Sequence, residues 1–179
     1  MRAQRNQITY IFILIFAFLI VSSILINAQE KKEPKKEEII WLKYDQGLEK
    51  AKKENKRVLV FFQASWCGWC RKMEKVTFQD QKIIKRINES FIPVRIDTQG
   101  RNLVDYNGKK LTEAEVGKRF KVGGVPDTWF LKSNGEKAYR FIGYKDPEPV
   151  YYILGWVRDA QYDSISLGEY IYLQKSKGN

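Results

Sequence analysis

The period of apolar positions changes several times along the chain, and each change marks a boundary. Residues Ile8 to Ile26 carry no charge and are mostly Ile, Phe and Leu, behind a short segment holding Arg2 and Arg5. That order predicts a secretory signal peptide or an N-terminal membrane anchor over residues 1–28. The length of the run favours an anchor, whereas Ile26-Asn27-Ala28 is a passable cleavage site. Neither cysteine lies near it, which excludes lipid attachment through a cysteine. Lys31, Lys32, Lys35 and Lys36 follow and outnumber Arg2 and Arg5, which opposes export under the positive-inside rule. The basic-then-apolar order is nevertheless that of an export signal, and the exported side is the expectation. The Lys/Glu/Pro stretch of residues 29–38 then reads as a solvated tether.

From residue 39 the pattern is that of a folded domain, ending near residue 160. Trp41, Tyr44, Leu48 and Ala51 recur at helical spacing and predict an amphipathic helix ending near Glu54-Asn55. Val58 to Phe62 is a continuous apolar run without alternation, as in a strand covered on both faces. A turn over Ala64 to Cys67 leads into a helix running past Met73. Asp80 is placed to cap a second helix that buries Ile83, Ile84 and Ile87, and Phe91 to Ile96 is the next strand. Thr98 to Lys110 is polar with an Asn107-Gly108 turn and reads as an inserted loop. Thr112-Glu113-Ala114-Glu115 is a capping box opening a helix that buries Val116 and Phe120. Thr128 to Leu131 and Ala138 to Ile142 flank Asn134-Gly135, a hairpin signal. Pro147 or Glu148 starts a helix through Val150, Ile153, Leu154 and Val157. Residues 161–179 form a C-terminal extension in which Tyr170, Ile171 and Leu173 suit a short docked helix. A strand–helix–strand unit demands a parallel pair, and the closing hairpin adds antiparallel strands. The predicted class is α/β, a mixed central sheet flanked by helices.

Composition narrows the chemistry. The chain has no histidine, which removes imidazole bases, imidazole metal ligands and His-activated nucleophiles together. With two cysteines and no histidine, a closed four-ligand zinc site would need carboxylates, and no metal or cofactor is expected. The net charge of +11 invites a nucleic-acid reading. The lysines are interspersed with glutamates, however, and form no basic block with interleaved aromatics, so nucleic acid is not an expected partner. Thiol redox is the best supplied chemistry that remains.

Cys67-Gly68-Trp69-Cys70 sits where a buried strand hands over to a helix. The thiolate is the reactive form, and a cysteine at a helix N-terminus has its pKa lowered by unpaired N–H groups and the helix dipole. Two intervening residues bring the second sulfur one turn along, close enough to close a disulfide. Cys67 is therefore the expected attacking thiol, the more exposed of the two, and Cys70 the buried resolving thiol. The alternatives are two unrelated buried cysteines or half of a metal site.

Val58 to Cys70, with Trp66 before the dithiol, resembles the active-site strand and turn of the thioredoxin superfamily. Gly124-Val125-Pro126 followed by a strand resembles that superfamily's cis-proline loop, and Phe130-Leu131 with Asn134-Gly135 its closing hairpin. The resemblance is to periplasmic thioredoxins of the SoxW kind and to the C-terminal thioredoxin domain of DsbD, over roughly residues 39–160. It implies a cis Val125-Pro126 peptide facing the dithiol, with the Val125 backbone available to an extended substrate strand. Trp66, Gly68, Trp69, Val125 and Pro126 are thus the implied substrate-binding residues. Two positions depart from the family. Thioredoxins carry a buried aspartate, an aid to proton transfer, where this chain has Phe61, and the residue after the proline is Asp127 rather than threonine. Asp127 and Glu74 are the candidate proton relays, and either acid near Cys67 would raise its pKa. A solvated helix face is the alternative account of Glu74.

A periplasmic disulfide reductase or electron-relay thioredoxin is therefore expected, either secreted or held at the membrane by residues 8–26. Its partners are protein disulfides and an upstream thiol electron donor, of which a membrane-embedded protein is one candidate. Gly68-Trp69 offers no cation to stabilise the thiolate, which favours a reductase over an oxidase. A tethered chaperone or metallochaperone is the alternative from another class, and a disulfide oxidase or isomerase the alternative within this chemistry.

Overall fold

The uninterrupted apolar run becomes the central strand. The computed structural model describes residues 37–177, and in it β1 (Arg57–Gln63) is buried at every position from Val58 to Phe62. It pairs in parallel with β2 (Phe91–Asp97), Arg57 opposite Phe91 and Gln63 opposite Asp97. On its other side it pairs antiparallel with β5 (Asp127–Leu131), which continues through a hairpin to β6 (Lys137–Ile142). The four-stranded order is β2-β1-β5-β6, a mixed sheet.

Two apolar clusters, one on each face, explain why β1 does not alternate. Leu59 and Phe61 enter the first with Ile83, Ile84 and Ile87 of α3 (Gln81–Ser90) and Val150, Ile153 and Leu154 of α5 (Pro147–Arg158). Val58, Val60 and Phe62 enter the second with Tyr44 and Ala51 of α1 (Tyr44–Glu54) and Val116 of α4 (Glu113–Arg119). Packing of α1 on the sheet is close: a Cβ at Gly47 would collide with Val94 Cγ2. Local signals act as expected. Asp80 accepts from the N–H groups of Lys82 (2.8 Å) and Ile83 (3.1 Å), and Thr112 with Glu115 closes the capping box.

Two expectations are corrected. Trp41 is not on the first helix. Leu42 bridges β2 in parallel through Leu42 N–H to Pro93 O (3.0 Å) and Arg95 N–H to Leu42 O (3.2 Å), so the chain is extended there. Trp41 packs instead against Phe61 and Phe78, and the buried residues of α1 are Tyr44, Gly47 and Ala51. Nor are residues 98–110 an irregular loop. β3 (Leu103–Tyr106) and β4 (Lys109–Thr112) form a hairpin turning at Asn107-Gly108, both at positive φ, as a tight type I′-like turn requires. Only Val104 of these strands is deeply buried, which is why no apolar alternation announced them.

The C-terminal residues dock on α5. In α6 (Leu167–Lys177) Tyr170 is buried and its hydroxyl donates to Asp159 (3.0 Å), while Trp156 Nε1–H donates to Ile165 O (3.0 Å). The apolar segment of residues 8–26, its cleavage site and the tether up to residue 36 lie outside the described residues. Among the described residues no helix is long and apolar enough to cross a membrane.

Candidate active site

At Gln63 the chain leaves the sheet through a turn closed by Cys67 N–H to Ala64 O (3.0 Å). Cys67 keeps extended backbone angles and caps α2 (Gly68–Lys75), its Sγ accepting from Cys70 N–H at 3.0 Å. Sulfur at Cys67 therefore occupies the place where a helix offers unpaired donors, and a thiolate there gains from the same N–H. The two cysteines form a disulfide with Cα atoms 5.2 Å apart. Their difference in exposure is slight, 3% for Cys67 and 1% for Cys70. What distinguishes them is position: one precedes the first helical turn, and the other lies within it. Trp66 and Trp69 stand out beside this pair, 63% and 59% exposed. Gly68 borders open space apart from the Arg71 guanidinium.

The Val125-Pro126 peptide is cis. Pro126 is buried, and half-buried Val125 packs against both apolar clusters, including the one that contains Cys67 and Cys70. Val125 N–H and C=O pair with no other backbone group among the described residues. Trp66, Lys118, Gly123, Gly124 and Val125 line one open groove of about 330 Å³. Gly143 N–H donates to Pro126 O (2.8 Å), tying the end of β6 to the proline loop. That tie sets Tyr144 against Trp69, ring centroids 5.5 Å apart, with Lys72 Nζ 5.1 Å and 4.5 Å from the two ring centres. The Tyr144 hydroxyl donates to Asp146 (2.6 Å), a bond that holds its pKa above the ordinary value.

Both acids singled out as proton relays are engaged by arginine. Glu74 accepts from Arg95 (3.0 Å) at the surface. Asp127 is fully buried at the start of β5, and both its oxygens accept from Arg140 Nε (2.9 and 3.1 Å), with Arg140 Nη2 closing a second contact. These bonds hold the Arg140 guanidinium above its already high pKa. Phe61 is fully buried among Trp41 (5.8 Å) and Phe78 (5.0 Å), so an aromatic cluster fills the position of the family's acid.

Three side chains at the site escaped sequence reasoning. Arg71 Nη1 donates to Ser65 O (2.7 Å), folding a cation back over the turn that holds the dithiol. The dipeptide between the cysteines has no cation, and this one arrives from the next position along the helix. Lys72 follows Trp69 by three residues on α2, a helical spacing that signals contact. Tyr144 carries no local signal, because strand pairing of β6 with β5 delivers it.

The sequence profile of the thioredoxin-like domain matches residues 44–156. Mouse spermatogenesis-associated protein 20 is 41% identical over 66 residues, which is 36% of this chain and 8% of that protein. The chain therefore spans under a tenth of that relative's length. The disulfide bond reductase DsbH of Chlamydia pneumoniae is 25% identical over 115 residues, 64% of this chain and 69% of the relative. Among solved structures, a thioredoxin-fold protein from Helicobacter pylori superposes with a TM-score of 0.61 at 18% identity, covering 69% of this chain and 86% of that one.

Proposed function

The chain belongs to the thioredoxin-like domain family, and on that premise we propose that it is a thiol–disulfide oxidoreductase. Its direction is that of a disulfide reductase or electron-relay thioredoxin, on the exported, periplasmic side of a membrane. The observation that carries the reading is Cys67 Sγ at the N-terminus of α2, accepting Cys70 N–H and joined to Cys70. The likeness to a relative named as a disulfide bond reductase supports the direction, and the apolar run Ile8 to Ile26 behind Arg2 and Arg5 supports export.

In the reduced protein the Cys67 thiolate attacks one sulfur of a substrate disulfide. The substrate S–S bond breaks, its second sulfur leaves as a thiolate that takes a proton, and a mixed disulfide forms. Cys70 then attacks Cys67 Sγ, the mixed bond breaks, and the departing substrate thiolate takes the proton that Cys70 gives up. Two electrons pass to the substrate and the Cys67–Cys70 disulfide remains. An upstream dithiol donor restores the reduced pair and is itself oxidised to a disulfide. The N–H and C=O of Val125, unpaired with other backbone among the described residues, hold the substrate as an added strand, with Pro126, Trp66, Gly68 and Trp69 framing it. Phe61 supplies no acid, and Asp127 and Glu74 are bound to arginines, so proton movement here runs through the reacting sulfurs and solvent.

Insulin reduction, with dithiothreitol as electron source, tests the reading. Cys67→Ser should abolish turnover, and Cys70→Ser should accumulate mixed disulfides through Cys67, seen by mass spectrometry. Trapping through Cys70 with Cys67 unreactive would overturn the roles. A second reading, isomerase or oxidase, draws on one observation: Arg71 over the Ser65 turn favours a thiolate, the direction in which those enzymes differ from reductases.

A further inference from the structure

Besides Arg71 over its turn, two lysines stand near the dithiol outside any ion pair among the described residues. On the proline-loop side, Lys118 is the one charged residue among the described residues that line the groove shared by Trp66, Gly123, Gly124 and Val125. On the other side, Lys72 is held over the rings of Trp69 and Tyr144. The nearby carboxylates are largely occupied: Glu74 by Arg95, Asp127 by Arg140, and Asp146 by the Tyr144 hydroxyl, while Glu115 is bound by the backbone and hydroxyl of Thr112 and shares its charge between Lys118 and Arg119 without a direct ion pair. Lys72 is also restrained by two rings, so pairing with it costs less side-chain entropy than pairing with a free surface lysine.

We propose that the substrate is an extended segment carrying acidic side chains on both sides of its disulfide cysteine, read by Lys118 on one flank and Lys72 on the other. The proposal rests on the dithiol reading above and names its substrate class. With the strand laid along Val125 and its cysteine over Cys67, residues on one side run into the groove that Lys118 lines. Those on the other side cross the Trp69–Tyr144 edge beside Lys72. Trp66 shares the groove with Lys118 and Trp69 lies under Lys72, and both, mostly exposed, offer apolar surface to the strand. An exposed ion pair changes binding about two- to fivefold, so two of them set a preference of roughly tenfold between matched and mismatched flanks.

The test uses the full-length chain in mild detergent with three disulfide-linked peptides that differ only in flanking residues: acidic, neutral or basic. Expected is a kcat/KM about tenfold higher for the acidic than for the basic peptide at low salt, with the neutral one between. The ratio should fall to within about twofold in 1 M NaCl, where screening acts over about 3 Å. Lys72→Gln with Lys118→Gln should flatten it likewise, and Lys72→Glu with Lys118→Glu should reverse it. Measurable and equal reduction of all three peptides overturns the substrate class while leaving the reductase reading in place. Reduction of none overturns the dithiol reading and this proposal with it. A preference that persists in the glutamine variant removes the assignment to these two lysines.

Discussion

Arg140→Ala removes the charge partner of a carboxylate that is fully buried next to Pro126. Breaking a buried ion pair from one side typically costs about 3–5 kcal/mol, because the remaining charge is left uncompensated. The Arg140 side chain is 26% exposed, so water reaches the pair and the lower end, about 3 kcal/mol, is expected. About 0.5–1 kcal/mol of that belongs to the guanidinium over Trp129, a cation–π contact independent of pH. The rest is the penalty of leaving the buried Asp127 carboxylate without its cation. Urea unfolding followed by tryptophan fluorescence should show a deficit of about 3 kcal/mol at pH 7. Adding Asp127→Asn to the variant should recover most of the electrostatic part at pH 7. A deficit unrelieved by Asp127→Asn would refute the buried pair as its source.

Phe61→Ala should cost about 3–5 kcal/mol in the same assay, since a fully buried ring is lost from contact with Trp41 and Phe78. Single-turnover reduction below the variant's melting temperature should persist, because no proton passes through this position. Equilibration in glutathione buffers should place the couple between about −270 and −250 mV. The exposed Arg71 contributes at most about 1 kcal/mol, which shifts the potential by about 20 mV from the thioredoxin value, a value that already includes a dithiol at a helix N-terminus. A value above about −180 mV would displace the reductase reading in favour of the isomerase or oxidase one. Protease treatment of spheroplasts should digest the folded domain without lysis. Protection until lysis would show that Lys31 to Lys36 had kept it on the opposite side of the membrane.

Elements whose signal is local were legible in the amino-acid sequence. The unbroken apolar run Val58 to Phe62 marks a strand covered on both faces, and Asp80, Thr112-Glu115 and Asn134-Gly135 mark two helix starts and a turn. The spacing of Cys67 and Cys70 brings the two sulfurs together at a strand–helix junction. Each of these rests on neighbours within a few residues, where propensity and hydrogen bonding act without help from the fold. Pairings across long separations were decided only by tertiary structure. Trp41 has helical spacing to Tyr44, but the edge of β2 captures Leu42 and holds the segment extended. Asp127 suggests a free acid until the β5–β6 register sets Arg140 beside it. Tyr144 reaches Trp69 because Gly143 N–H is bound to Pro126 O, and Arg71 turns a cation-free dipeptide into a turn overlaid by a guanidinium. Charge and contact at the site therefore depend on residues brought from distant parts of the chain. No local pattern encodes such partners, because what selects them is the free energy of packing the whole sheet.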